Sequence, residues 1–124
     1  MKQFPTSGTL DMGEIIGRLF WLRDLTHARH LATRSYARHK ALEEVYNELV
    51  ELFDGLTESY QGKYGLVAIK PYQIPYGDEM AAITETCIYL EQVRGQLQEG
   101  YLQNQIDELH KLLYQAMYRL RYLA

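Results

Sequence analysis

Apolar positions recur along this chain at three- and four-residue spacing, the signature of helices that bury one face. The first run sets Met12, Ile15, Ile16, Leu19, Phe20, Arg23 and His27 at helical spacing, with Leu22 and Leu25 widening the apolar face. It predicts a helix over about 10–32, capped by Thr9 or Asp11, behind a short tail over residues 1–8. Thr33-Arg34-Ser35 then offers two capping oxygens, so the chain is expected to turn a tight corner into a second helix from Tyr36 to about Gln61. That helix is expected to bury Leu42, Val45, Tyr46, Leu49, Phe53 and Leu56 and to leave Glu43, Glu44, Glu48 and Glu51 mostly outside. Gly55 interrupts the pattern, which points to a bend or a close helix contact.

Gly62, Gly65, Pro71, Pro75 and Gly77 punctuate a connection over 62–77. Leu66, Val67, Ile69, Tyr72 and Ile74 make it too apolar for a free linker, so it is expected to cross the bundle and pack on it. A third helix, capped by Asp78 or Gly77, carries Met80, Ile83, Cys87, Leu90, Val93 and Leu97 until Gly100 stops it. A fourth carries Leu102, Ile106, Leu109, Leu113, Met117 and Leu120 toward the C-terminus. No segment alternates as a strand does. The expected fold is an all-α four-helix bundle, two helical hairpins joined by a long crossover, in a single domain over 1–124.

Composition narrows the function. A net charge of -3 gives no global attraction to nucleic acid, so DNA binding is not favoured. Cys87 is the one cysteine, which excludes an intrachain disulfide and a cysteine-rich zinc site and suits a reducing, cytoplasmic setting. No run approaches the ~18 apolar residues of a membrane span, so no membrane partner is expected. Eleven tyrosines against three phenylalanines point to packed surfaces that also offer hydrogen bonds, as helix interfaces do.

The stretch from His27 to Glu58 holds three of the four histidines and a recurring row of carboxylates. Asp54 and Glu58 lie one turn apart on one face, about 6 Å along the axis, and suit a shared hard or borderline cation. His39 precedes Asp54 by about 22 Å of helix rise, so no single ion spans them within one helix. Across the corner, antiparallel packing brings His27 or His30 to the level of His39. A histidine pair and a carboxylate pair are thus two half-sites, which meet when two chains pack their second helices antiparallel in a two-fold dimer. The competing reading leaves the histidines solvated and pairs the acids with Arg34 and Arg38.

The order His27, His39, Asp54, Glu58 resembles the ferroxidase signature of the Dps-type mini-ferritins, and Tyr46 matches a common aromatic position of that family's second helix. The resemblance implies a ferritin-like fold, a homo-oligomer built from two-fold dimers, and iron as the cofactor. It also implies oxidation of Fe(II) to Fe(III) by peroxide or oxygen at a mononuclear or dinuclear site between subunits. In that picture Asp54 and Glu58 hold and bridge the iron, and His39 with His27 or His30 supplies nitrogen. Ala28 follows His27 where the family places tryptophan, and Lys2 alone stands where DNA-binding members carry a lysine-rich tail. The phrase HLATRSYARHKAL also resembles uncharacterised small phage proteins, and on that alignment His30 takes the first-histidine place. The alternative function is a non-enzymatic helical assembly protein that binds partners through its tyrosine-rich faces.

Two weaker patterns remain. Asp107 and His110 form a carboxylate-x-x-His pair, read as a surface histidine beside an acid in preference to an intrasubunit di-iron site. Arg29, Arg34, Arg38 and Lys40 cluster at the corner and are expected to pair with glutamates rather than with phosphate.

Overall fold

A computed structural model of the protein describes residues 10–124 and contains four helices: α1 (Met12–Ala32), α2 (Tyr36–Tyr64), α3 (Glu79–Gln96) and α4 (Gly100–Tyr118). A last turn, Arg119–Leu123, widens to π geometry. Thr9, the tail and Lys2 lie outside the described residues. Among the described residues there is no strand, and no helix is long and apolar enough to cross a membrane. The helices form two hairpins joined by the expected crossover. α1 packs on α2 and α3, and α4 packs on the same two, which closes a four-helix bundle.

Side-chain oxygens start three of the helices. Asp11 accepts a hydrogen bond from the Glu14 amide, Ser35 from the Arg38 amide, and Asp78 from the Ala81 amide. Glu99 opens α4 differently, because its carboxylate is drawn away to the Tyr64 hydroxyl and to Lys63, while its carbonyl accepts from the Leu102 and Gln103 amides. The core is a stack of fully buried aliphatic side chains, with Leu22, Leu25, Leu42, Leu49, Leu56, Ile83, Leu90 and Leu102 among them and Phe53 the largest. In α1 the seam runs through Ile15, Ile16, Leu19, Leu22 and Leu25, whereas Arg23 is only partly buried and His27 is exposed. Those two polar residues share the outer edge of the apolar arc, and the leucines beside them take the buried positions.

Three boundaries differ from the sequence reading. α2 continues through Gly62 and ends at Gly65, whose φ of 99° is the conformation that stops it. α3 ends at Gln96, where buried Leu97 turns into the core, and Gly100 opens α4 instead of stopping α3. Gly55 is no point of close approach, since a Cβ there would meet only the Gln105 amide nitrogen, at 3.6 Å.

The close approach lies elsewhere. The crossover over 65–78 runs along α1, with the Lys70 amide donating to the Gly13 carbonyl at 3.1 Å and the Trp21 indole N–H to the Ile74 carbonyl at 2.7 Å. At its end, Arg29 donates to the carbonyls of Tyr76 and Gly77. Gly13 and Gly17, one turn apart, let the strap's backbone lie directly on α1. A Cβ at Gly17 would collide with the Lys70 carbonyl oxygen and stand 2.9 Å from its carbon, and one at Gly13 would collide with the Ala68 carbonyl oxygen. The Arg18 guanidinium then lies over the rings of Tyr72 in the strap and Tyr89 in α3, at 4.8 and 3.8 Å.

Gly17→Ala is therefore expected to lower stability by about 3 kcal/mol, because backbone rather than a side-chain tip must yield. Gly55→Ala is expected to raise it by up to about 1 kcal/mol. Urea unfolding monitored by circular dichroism measures both, and equal effects would refute the strap contact. A second expectation concerns acid. The Tyr64 hydroxyl, followed by Lys63, holds the Glu99 carboxyl below its ordinary pKa, so its contribution is present above the ordinary glutamate range and is lost as pH falls through the lowered value. The same bond pushes the Tyr64 phenol up to about 12, a contribution lost as pH climbs from the ordinary tyrosine range toward that value. Glu99→Gln should flatten both limbs of a stability-against-pH curve.

Candidate metal centre at the first corner

The α1–α2 corner is closed by its own short sequence. The Thr33 amide donates to the Arg29 carbonyl at 3.0 Å, the Ser35 amide donates to the Thr33 hydroxyl at 3.2 Å, and Ser35 caps α2. Both oxygens read as caps in the sequence are used. This tight turn brings the last turn of α1 level with the first turn of α2, and it is His30, not His27, that meets His39.

The two imidazoles bind each other's backbones. His30 Nδ1 lies 2.7 Å from the His39 carbonyl oxygen, and His39 Nδ1 lies 2.8 Å from the His30 carbonyl oxygen. A carbonyl only accepts, so each Nδ1 carries a proton, and in the neutral form of each ring Nε2 is the nitrogen with the lone pair. The rings stack with centroids 3.6 Å apart and planes 20° from parallel. His30 is buried, and His39 is partly covered.

One turn beyond His39, Glu43 completes the group: metal-binding atoms of His30, His39 and Glu43 all lie within 4.8 Å of one another. The apolar pattern of α2 puts Glu43 on the outer face, and its i,i+4 relation to His39 is the sequence signal that points to the group. Glu43 is also held by Lys40 Nζ at 3.0 Å, and that hydrogen bond lowers its carboxyl pKa. The phenol ring of Tyr46 lies beside the group, edge-on to His30 with centroids 5.2 Å apart. His27 is exposed and stacks on Tyr46 at 4.2 Å, with its ring centroid 6.0 Å from that of His30.

Asp54 and Glu58 stand exposed one turn apart further along α2, as helix rise requires, and are not in this group. The corner cations are largely occupied within the chain: Arg38 pairs with Glu79 at 2.6 Å, Lys40 with Glu43, and Arg29 holds the strap. His110 is not the surface histidine beside Asp107 that the sequence predicts. Asp107 makes two hydrogen bonds to Arg94, at 2.6 and 3.1 Å, while His110 is buried with Nε2 3.1 Å from the Cys87 carbonyl oxygen. The two side chains thus serve the α3–α4 contact separately. Cys87 is core, and burial pushes its thiol up to about 11, which removes it as a nucleophile at neutral pH.

The sequence profile of a family of unknown function, DUF5856, matches residues 30–120. The matched region begins at His30, so it contains His30, His39 and Glu43 and leaves His27 outside. The chain is also 30% identical, over 113 residues covering 86% of it and 85% of the relative, to the "Uncharacterized 14.6 kDa protein in mobD-ri intergenic region" of Enterobacteria phage T4. No solved structure matches the chain. These findings correct the resemblance to the Dps-type mini-ferritins: no ferritin-like or Dps-type family is among the matches, and the spacing from His27 through His39 to Asp54 and Glu58 does not mark membership of that family. The other resemblance, to small uncharacterised phage proteins, agrees with the T4 relative. By a match over most of its length, the chain belongs to the family of unknown function DUF5856.

Proposed function

We propose that this protein binds a divalent transition-metal ion at the α1–α2 corner, through His30, His39 and Glu43, with Fe(II) as the ion the donor set suits best. The observation that carries the reading is the pairing of two imidazoles, each with its Nδ1–H anchored on the other's carbonyl, beside a carboxylate. Such anchoring is what metal-bound histidines need from their surroundings: it fixes the tautomer and the ring while leaving Nε2 basic. Two ligands about 2.1 Å from one ion stand at most about 4.2 Å apart, so a spread of 4.8 Å closes with small side-chain rotations. Two imidazoles and one carboxylate leave coordination positions open, the arrangement that suits non-haem Fe(II), and Zn(II) and Co(II) accept the same donors.

Binding has a defined competitor. Lys40 must release Glu43 and stays nearby as a like charge to the ion. A unit charge about 4 Å away in water is worth about 1 kcal/mol, or about fivefold in affinity.

Titration with Co(II), followed by its visible absorption, and anaerobic titration with Fe(II) test the site. One ion per chain is expected, with affinity reduced at least about 100-fold in His39→Ala and Glu43→Gln and raised about fivefold in Lys40→Met. Asp54→Ala and Glu58→Ala are expected to bind as the native chain does, and loss of binding there would favour the intersubunit arrangement over the corner. A native chain that holds no more ion than His39→Ala would refute the proposal.

A further inference from the structure

The outer side of α3 and α4 carries an apolar surface that none of the described residues covers. Tyr114, Tyr118 and Tyr122 follow one another at four-residue spacing along α4 and its last turn, and they are 57%, 57% and 69% exposed. Beside them on α3, Ile88 is 59% exposed in mid-helix, flanked by Glu85 and Glu91. Between the two rows lies a groove of about 340 Å³, floored by Cys87, Thr84 and Met117 and edged by Arg121. A row of half-exposed aromatics beside an exposed isoleucine is costly in water and is the composition of an interface core.

We infer that this face is where a second copy of the chain docks, with α4 of each copy laid against α3 of the other. Charge selects that occupant. The α4 side of the face exposes Lys111 and Arg121, and the α3 side exposes Glu85 and Glu91. Laying α4 of one copy on α3 of the other sets bases against acids twice over in a two-fold pair, whereas α4 on α4 or α3 on α3 opposes like charges. Area agrees. Aromatic side chains each bury about 150–250 Å² when covered, so the open parts of the three tyrosines supply roughly 350 Å². That is close to half of the ~800 Å² per partner of a standard interface before Ile88 is added. None of the residues that line this groove is His30, His39 or Glu43.

Sedimentation equilibrium of the full chain tests the pairing. The native protein is expected at twice its chain mass of 14.5 kDa, and Tyr118→Glu at the single-chain mass with its helical circular dichroism unchanged. Two charge-reversed chains, one with Lys111→Glu and Arg121→Glu and the other with Glu85→Lys and Glu91→Lys, should each self-associate about tenfold or more weakly. Mixed together they should pair, because one then presents acids on both helices and the other bases. A native chain that stays monomeric at every concentration, a dimer indifferent to Tyr118→Glu, or reversed chains that fail to pair on mixing would each overturn the inference.

Discussion

Two backbone carbonyls, each bound by the imidazole from the opposite helix, fix how α1 and α2 meet. His30 and His39 are nine residues apart, and their reciprocal bonds at 2.7 and 2.8 Å leave a single register for the corner between them. The register sets the level of everything downstream on α2. It places Glu43 beside the imidazole pair, stands Tyr46 against His30, and aligns Leu42, Val45 and Leu49 with the buried seam of α1. The bonds also decide the chemistry. A histidine whose Nδ1–H is already committed offers a preoriented Nε2, so under the proposed function the contact that joins two helices would also ready two ligands. Structure and proposed function share one device.

The crossover imposes the second constraint. A strap that must run the length of α1 needs a surface free of side chains, and Gly13 and Gly17 provide one. Once the strap is seated, its polar groups bond to α1, Arg18 bridges it to α3, and Arg29 ties its end close to the corner. α3 therefore starts beside the first turn of α2, where Glu79 pairs with Arg38. In this way the placement of the second hairpin follows from backbone contact in the first.

Much of this was legible in the sequence, and the misses have physical causes. Apolar periodicity, the caps at Asp11, Ser35 and Asp78, and the apolar connection sufficed for four helices and a packed crossover, because each is a local signal of burial or of an orphan amide. Gly55 drew notice because it interrupts a helix, yet the glycines that matter, Gly13 and Gly17, lie where a distant strand of backbone approaches, which no local pattern reveals. The histidine pair was legible as a meeting across the corner, but the choice between His27 and His30 depends on the exact turn. Glu43 was read as solvated because charge on a helix usually is, and its i,i+4 relation to His39 was outweighed by the longer pattern to Asp54 and Glu58. His110 was taken for a surface residue because its partner, the Cys87 carbonyl, belongs to another helix.

The central claim is that the corner histidines are metal ligands as well as a structural pair. X-ray absorption at the metal edge of the Zn(II)- or Fe(II)-loaded protein addresses it most directly, because it counts imidazoles on the ion. Two imidazole ligands per ion and one ion per chain are the predicted result. An ion ringed by oxygen alone, or one whose coordination is unchanged in His39→Ala, would contradict it.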